Sequence, residues 1–133
     1  MVIHKPKPNQ SKVYYTWKQF DNDVNKIIKY IKCNKLTIKG IYGIPKGGLP
    51  LAVTLANRLN VPFYQIFPSP IGIPNKQYLV VDDISDEGDT LLGLRDINTY
   101  TTITLFIKPR TKFIPNFVCR HCKNTDWICY PWE

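Results

Sequence analysis

The chain has 133 residues, 44% of them apolar, and a formal net charge of +8. That length makes one domain with a sizeable core. No apolar run approaches the roughly 20 residues needed to cross a membrane, and the basic start MVIHKPKPNQSK lacks the apolar centre of a signal peptide, so a cytoplasmic protein with no membrane partner is expected.

Residues 1–11 read as a loose basic arm and 12–133 as a single domain. VYYTW, residues 13–17, is an apolar lead-in. Thr16 and Gln19 have capping-box spacing, and Phe20, Val24, Ile27, Ile28 and Ile31 follow as the stripe of an amphipathic helix ending at Cys33–Asn34. Residues 36–43 read as a strand, 43–50 (GIPKGGLP) as a glycine-rich loop, and 51–60 as a helix with Leu51, Leu55 and Leu59 in register. Val61 to Phe67 is a second strand, and 68–76 a loop with three prolines. A third strand spans 77–82, and its helix runs from about Asp89 to Asp96. Thr101 to Ile107, rich in β-branched residues, is a fourth strand. Residues 117–121 and 127–130 are shorter extended pieces. This order predicts an α/β fold: a mostly parallel central sheet flanked by helices.

Charge is divided unevenly. Residues 1–46 carry ten Lys against two acids, whereas 47–133 carry eight basic and eight acidic residues, five of the acids between Asp82 and Asp89. A basic half beside an acidic cluster suits a polyanion carried with Mg²⁺. The lysines are scattered and no nucleic-acid motif accompanies them, so nucleic acid is not the expected partner. Cys119-Arg-His-Cys122 has Cys-x-x-Cys spacing, and Cys129 and His121 complete a four-ligand set on paper. Strand alternation at 118–122 sends neighbouring side chains to opposite faces, so plain reduced cysteines are expected.

The stretch with most chemistry is 78–92, YLVVDDISDEGDTLL. A buried strand ends in Asp82 and Asp83, and a polar turn of Asp86, Glu87, Gly88, Asp89 and Thr90 opens a helix. Ligands of open parallel sheets sit beyond the carboxyl ends of strands, and helix N-termini offer free N–H groups to anions. In GIPKGGLP, Gly47 and Gly48 let backbone approach a ligand closely, with Lys46 beside them.

The 78–92 stretch resembles the phosphoribosyl diphosphate (PRPP) signature of the type I phosphoribosyltransferases. Two further segments carry the resemblance toward the xanthine–guanine (purine) branch. They are GIPKGGLP, and TLFIKPR at 104–110 with Asp126-Trp127-Ile128 and the closing Pro131-Trp132-Glu133. KVYYTWKQF is similar to the extended, Trp-bearing piece before that family's first helix. The resemblance implies a type I phosphoribosyltransferase-like sheet with a lid and a small C-terminal base-binding region. It implies Asp82 and Asp83 at the PRPP ribose and at Mg²⁺, and Asp86, Glu87, Gly88, Asp89 and Thr90 at the 5′-phosphate. Lys46, Gly47 and Gly48 fall at the pyrophosphate, in a turn with a strained peptide, cis or otherwise. Lys108, Trp127 and Ile128 fall at the base, and Asp86 becomes the catalytic group for the proton at the purine's imidazole nitrogen. The implied reaction joins PRPP to guanine, xanthine or hypoxanthine, releasing pyrophosphate and a nucleoside 5′-monophosphate. A homo-oligomer, dimer or tetramer, is implied as well.

Two departures stand out. Glu87 and Asp89 put negative charge in a turn meant for phosphate, where the family has Thr or Ser and Gly. The lid between the second and third core strands is short, about residues 67–76. Both favour an alternative, a PRPP or nucleotide sensor with weak or no catalysis. A phosphoribosyltransferase for another base, and a basic nucleic-acid-binding protein, are the remaining alternatives.

Overall fold

The computed structural model describes residues 9–69 and 72–133. Five strands, β2 (Gly40–Gly43), β3 (Phe63–Tyr64), β4 (Tyr78–Ser85), β5 (Thr101–Ile107) and β6 (Phe117–His121), form one sheet in the order β3-β2-β4-β5-β6. Every pairing in it is parallel. The expected parallel α/β architecture is therefore present. β1 (Ser11–Tyr14) and β7 (Asp126–Cys129) form a separate parallel pair, with Ser11 opposite Asp126 and Tyr14 opposite Cys129. The apolar lead-in is thus a strand, and residue 11 of the expected arm belongs to it. Residues 1–8 of that arm lie outside the described residues.

Helix α1 spans Trp17–Cys33 and starts as its sequence directs. Thr16 Oγ accepts from the Gln19 N–H at 3.1 Å, and Gln19 Oε1 accepts from the Thr16 N–H at 2.9 Å. The predicted stripe is buried, and Asp23 is buried with it. After Asn34 the chain turns back through Lys35 at φ 52, and the Leu36 N–H donates to Ile31 O. That reversal delays β2 to Gly40, four residues later than expected. Leu36 and Ile38 still pack against the core.

Helix α2 (Leu49–Leu59) begins with Pro50 in its first turn and ends at Asn60 in the left-handed region. β3 is two residues at the sheet edge, shorter than the 61–67 read from sequence. Pro62 has no N–H to pair, and its carbonyl accepts from the Ile41 N–H instead. β4 runs on to Ser85, three residues past the expected end at 82, so Asp83 lies within the strand as well as Asp82. The helix expected over 89–96 is only α3 (Asp89–Leu92); Gly93 caps it, and Asp96 at φ 58 starts a 3-10 turn over 97–99.

Strand alternation builds two cores. Ile41, Leu79, Val81, Ile103 and Leu105 face α1 and α2. Tyr42, Tyr78 and Val80 face Leu91, Ile97, Tyr100 and Phe113 on the other side. Among the described residues, no helix is long and apolar enough to cross a membrane. No group of three or more His, Cys, Asp or Glu able to hold a metal occurs there either. Cys119, Cys122 and Cys129 are free thiols. Burial pushes Cys119 up to about 12 and Cys122 up to about 11, so without a metal both are protonated at neutral pH.

Candidate active site

From β2 the chain steps to β3 on one side and then to β4 on the other. The gap beyond β2 and β4 is a topological switch point, where open α/β sheets bind ligands. The glycine turn leaves β2 there and the acidic turn leaves β4. They meet directly: a Cβ on Gly47 would overlap the Asp83 carboxylate. Glycine at 47 is what allows a carboxylate to lie against this backbone. The Pro45–Lys46 peptide is cis. The Gly48 N–H donates to Ile44 O at 2.8 Å, so of the three expected pyrophosphate contacts its N–H is taken up by the turn. The Lys46 side chain is exposed beside it.

Asp82 and Asp83 are adjacent and held by short local bonds. Asp82 Oδ1 accepts from the Asp83 N–H, and Asp83 Oδ1 from the Ile84 N–H, each at 2.8 Å. Burial, then the neighbouring charge and hydrogen bond of Asp83, push Asp82 up to about 9. Asp83 is also raised, chiefly by burial. Mg²⁺ takes oxygen ligands, keeps several waters and is commonly held by one or two carboxylates together with substrate phosphates. Two neighbouring carboxylates whose charge burial disfavours fit an ion that arrives with a phosphate ligand.

The same pair sets a pH dependence. An unfolded Asp titrates near 3.9, so between about pH 4 and 9 the folded chain binds more protons than the unfolded one. Stability from protonated Asp82 is complete below about pH 4 and is lost as pH rises toward 9. Asp82→Asn, uncharged throughout, is expected to gain on the wild type as pH rises. In metal-free buffer the difference in Tm should be small near pH 4.5 and clearly in favour of the variant near pH 8. A difference independent of pH would contradict the raised carboxyl pair.

The acidic turn is charge-balanced by a loop that sequence reasoning passed over. Asp86 Oδ1 accepts from Arg110 Nε at 2.8 Å and from Arg110 Nη2, and Lys108 Nζ lies 3.2 Å from Asp86 Oδ2. Lys112 Nζ donates to Asp89 Oδ1 at 2.8 Å, and the Lys112 N–H donates to Glu87 O. The Glu87 side chain is exposed. Glu87 and Asp89 thus add little negative field inside the turn: Asp89 is ion-paired and Glu87 faces solvent. Gly88, at φ +90, is overlaid by Lys112 and Phe113, whose backbone nitrogens a Cβ would meet at 3.0 and 2.7 Å. Asp89, Thr90 and Leu91 in the first turn of α3 have no intrahelical acceptor for their N–H groups. The signal for Arg110 and Lys112 was their alternation with Lys108 directly after β5.

Two cavities share Asp83, Ile84 and Asp86. One, about 340 Å³, is formed by residues 82–91 and contains every expected 5′-phosphate residue. The other, about 190 Å³, is lined by Lys108, Asp126, Trp127, Ile128, Tyr130 and Glu133 as well. Lys108 is 3% exposed and lines that cavity. The three expected base-binding residues, one just after β5 and two from β7, are therefore brought together, and Asp86 lines both cavities. Tyr130 and Glu133 are lining residues that sequence reasoning did not single out. Burial, then the charges of Asp83 and Asp82, push Tyr130 well above the usual phenol range, so its hydroxyl keeps its proton.

An all-parallel sheet with paired acids, a phosphate-sized turn and a glycine turn at one switch point is the type I phosphoribosyltransferase fold. The chain resembles the purine phosphoribosyltransferases of that family. It is 28% identical to a purine phosphoribosyltransferase from Pyrococcus horikoshii, over 92% of this chain and 94% of that one, with a TM-score of 0.72. A xanthine-guanine-hypoxanthine phosphoribosyltransferase from Helicobacter pylori superposes with a TM-score of 0.78 at 17% identity, over 92% and 94% of the two chains. A Neisseria gonorrhoeae protein described as hypothetical and solved with bound ppGpp gives 0.74 at 20% identity, over 93% and 90%. No protein-family model matches the chain, and no curated protein does.

Proposed function

We propose that the protein transfers a 5-phosphoribosyl group from PRPP to a 6-oxopurine, releasing pyrophosphate and a nucleoside 5′-monophosphate. The observation that carries this is the meeting of a buried Lys108 with Trp127 and Ile128 in a cavity that opens, across Asp86, onto the acidic turn. A lysine ammonium donates and never accepts, so it suits a ring carbonyl, and an indole face suits a flat heterocycle. Backbone N–H groups of 89–91 with the Thr90 hydroxyl hold the 5′-phosphate. Lys46 and Gly47 hold the pyrophosphate. Asp82 and Asp83 orient the ribose hydroxyls, and would hold Mg²⁺, which when bound neutralises the leaving pyrophosphate.

In the reaction the bond from C1′ to pyrophosphate oxygen breaks and a bond from C1′ to the purine nitrogen forms. The proton displaced from the purine's imidazole passes to Asp86. Orientation across the two cavities supplies proximity. The test is turnover with PRPP, Mg²⁺ and each of guanine, xanthine and hypoxanthine, following pyrophosphate release. Product with at least one base is expected. A binding-only reading is favoured by one feature, the chelation of Asp86 by Arg110. Tight PRPP binding without product from any base, in folded protein, would select it.

A further inference from the structure

Ser85, the last residue of β4, is 1% exposed and holds the loop after β5 at both of its ends. Its carbonyl accepts from the Lys108 N–H at 3.1 Å. Its hydroxyl donates to Phe113 O at 2.7 Å and bonds to Thr111 Oγ1 at 2.8 Å. Thr111 Oγ1 in turn accepts from the Phe113 N–H at 3.2 Å, and the Thr111 N–H donates to Lys108 O at 3.2 Å. Two hydroxyls thus pin residues 108–113 to the end of the strand. So placed, the loop sets its three cations on the acidic turn, Lys108 and Arg110 at Asp86 and Lys112 at Asp89. An apolar side chain could fill the buried strand end, but it would leave the loop to the packing of Phe113 and to its ion pairs. The Lys112–Asp89 pair is exposed, and exposed pairs hold a loop weakly.

We propose that Ser85, acting through Thr111 and Phe113, is a positioning residue for phosphate binding: it keeps the cationic loop on the acidic turn so that an anion can enter there. This rests on the phosphoribosyl reading above. Asp86, Glu87 and Asp89 give the turn three carboxylates, and like charge opposes a phosphate beside them. Lys108, Arg110 and Lys112 supply the opposite charge. They come from a different strand connection, more than twenty residues along the chain, so they offset the turn only while the loop is held against it. Ser85 lines the larger cavity, but its one hydroxyl proton is given to Phe113 O. Its contribution therefore passes through the loop and not through a contact with the ligand.

Ser85→Ala/Thr111→Val removes both hydroxyls, whereas Thr111→Ser keeps both. Binding of GMP and of guanosine to the wild type and to each variant is measured by calorimetry at low and at high salt, with Tm recorded to show that each protein is folded. At low salt the double variant is expected to bind GMP about tenfold more weakly than the wild type does, and guanosine within about twofold. In about 1 M NaCl, where the Debye length is about 3 Å, the GMP deficit should shrink below about threefold. Thr111→Ser should bind both ligands as the wild type does. Should the double variant fail to fold, Thr111→Val alone carries the same comparison. If the variant keeps the wild-type GMP affinity, or loses GMP and guanosine affinity equally, the inference falls while the phosphoribosyl reading stands. If the wild type binds neither GMP nor PRPP, the reading falls and takes the inference with it.

Discussion

Arg120→Met is expected to destabilise the protein by about 3 kcal/mol or more, through a charge left buried without its partner. Asp23 lies wholly inside the molecule, on the apolar face of α1. Its Oδ2 accepts from Arg120 Nε at 2.8 Å and from the Tyr15 hydroxyl at 2.5 Å. Lys26 Nζ is 3.4 Å from Oδ1, without hydrogen-bond alignment. Arg120 comes from β6, so this pair ties α1 to the sheet's far edge. The guanidinium also lies 5.6 Å from the Tyr15 ring centre, a cation–π contact that methionine would only partly replace. Urea denaturation of the single variant and of Asp23→Leu/Arg120→Met separates the causes. The double variant should recover at least half of the loss, since no charge is then stranded. A single-variant loss below about 1 kcal/mol would mean that solvent, and not Arg120, satisfies Asp23. The effect reaches the site, because Tyr15 packs on Tyr130 and Trp132.

Residues whose environment is set locally are legible in the sequence itself. Val80 and its neighbours form an unbroken apolar run because β4 is buried on both faces. The Thr16–Gln19 box and the stripe from Phe20 to Ile31 needed only helical geometry. The acidic and glycine turns were legible by composition, though only the resemblance, and no spacing rule, pointed to an abnormal peptide in the glycine turn, which the structure has at Pro45–Lys46. Long-range pairing was not legible. Nothing in Ser11–Tyr14 says that its partner is Asp126–Cys129, more than a hundred residues on. Nor does Asp23 announce Arg120, although an acid among Phe20, Val24 and Ile27 is itself a signal of a buried partner. Short elements failed for a different reason. Residues 93–96 have no continuous apolar stripe to bury, and Gly93 ends the turn that Leu91 anchors. The roles of Arg110 and Lys112 were not legible because their targets, Asp86 and Asp89, lie over twenty residues earlier.

Asp86→Asn is expected to lower kcat by about 10²–10⁴-fold while KM for PRPP changes by no more than a few-fold. Asp86 lines both cavities, and in the proposed reaction its carboxylate takes the purine's proton. Asparagine keeps the shape and the acceptor oxygen, so contacts to Lys108 and Arg110 survive in part, but it removes the proton acceptor. In the proposed binding mode PRPP is held mainly by backbone N–H groups, Thr90, Lys46 and the Asp82–Asp83 pair, which the change leaves alone. A uniform loss in kcat and in PRPP affinity would instead make Asp86 a binding group. Arg110 decides how much of the effect appears. While its guanidinium holds Oδ1, proton transfer falls to Oδ2, beside Lys108 Nζ, unless the ion pair opens first. Arg110→Gln in the wild-type background should therefore raise kcat if opening limits turnover, and should have no such effect in the Asp86→Asn variant. That non-additivity, measured as pyrophosphate release at saturating PRPP and base, ties the two residues to one step.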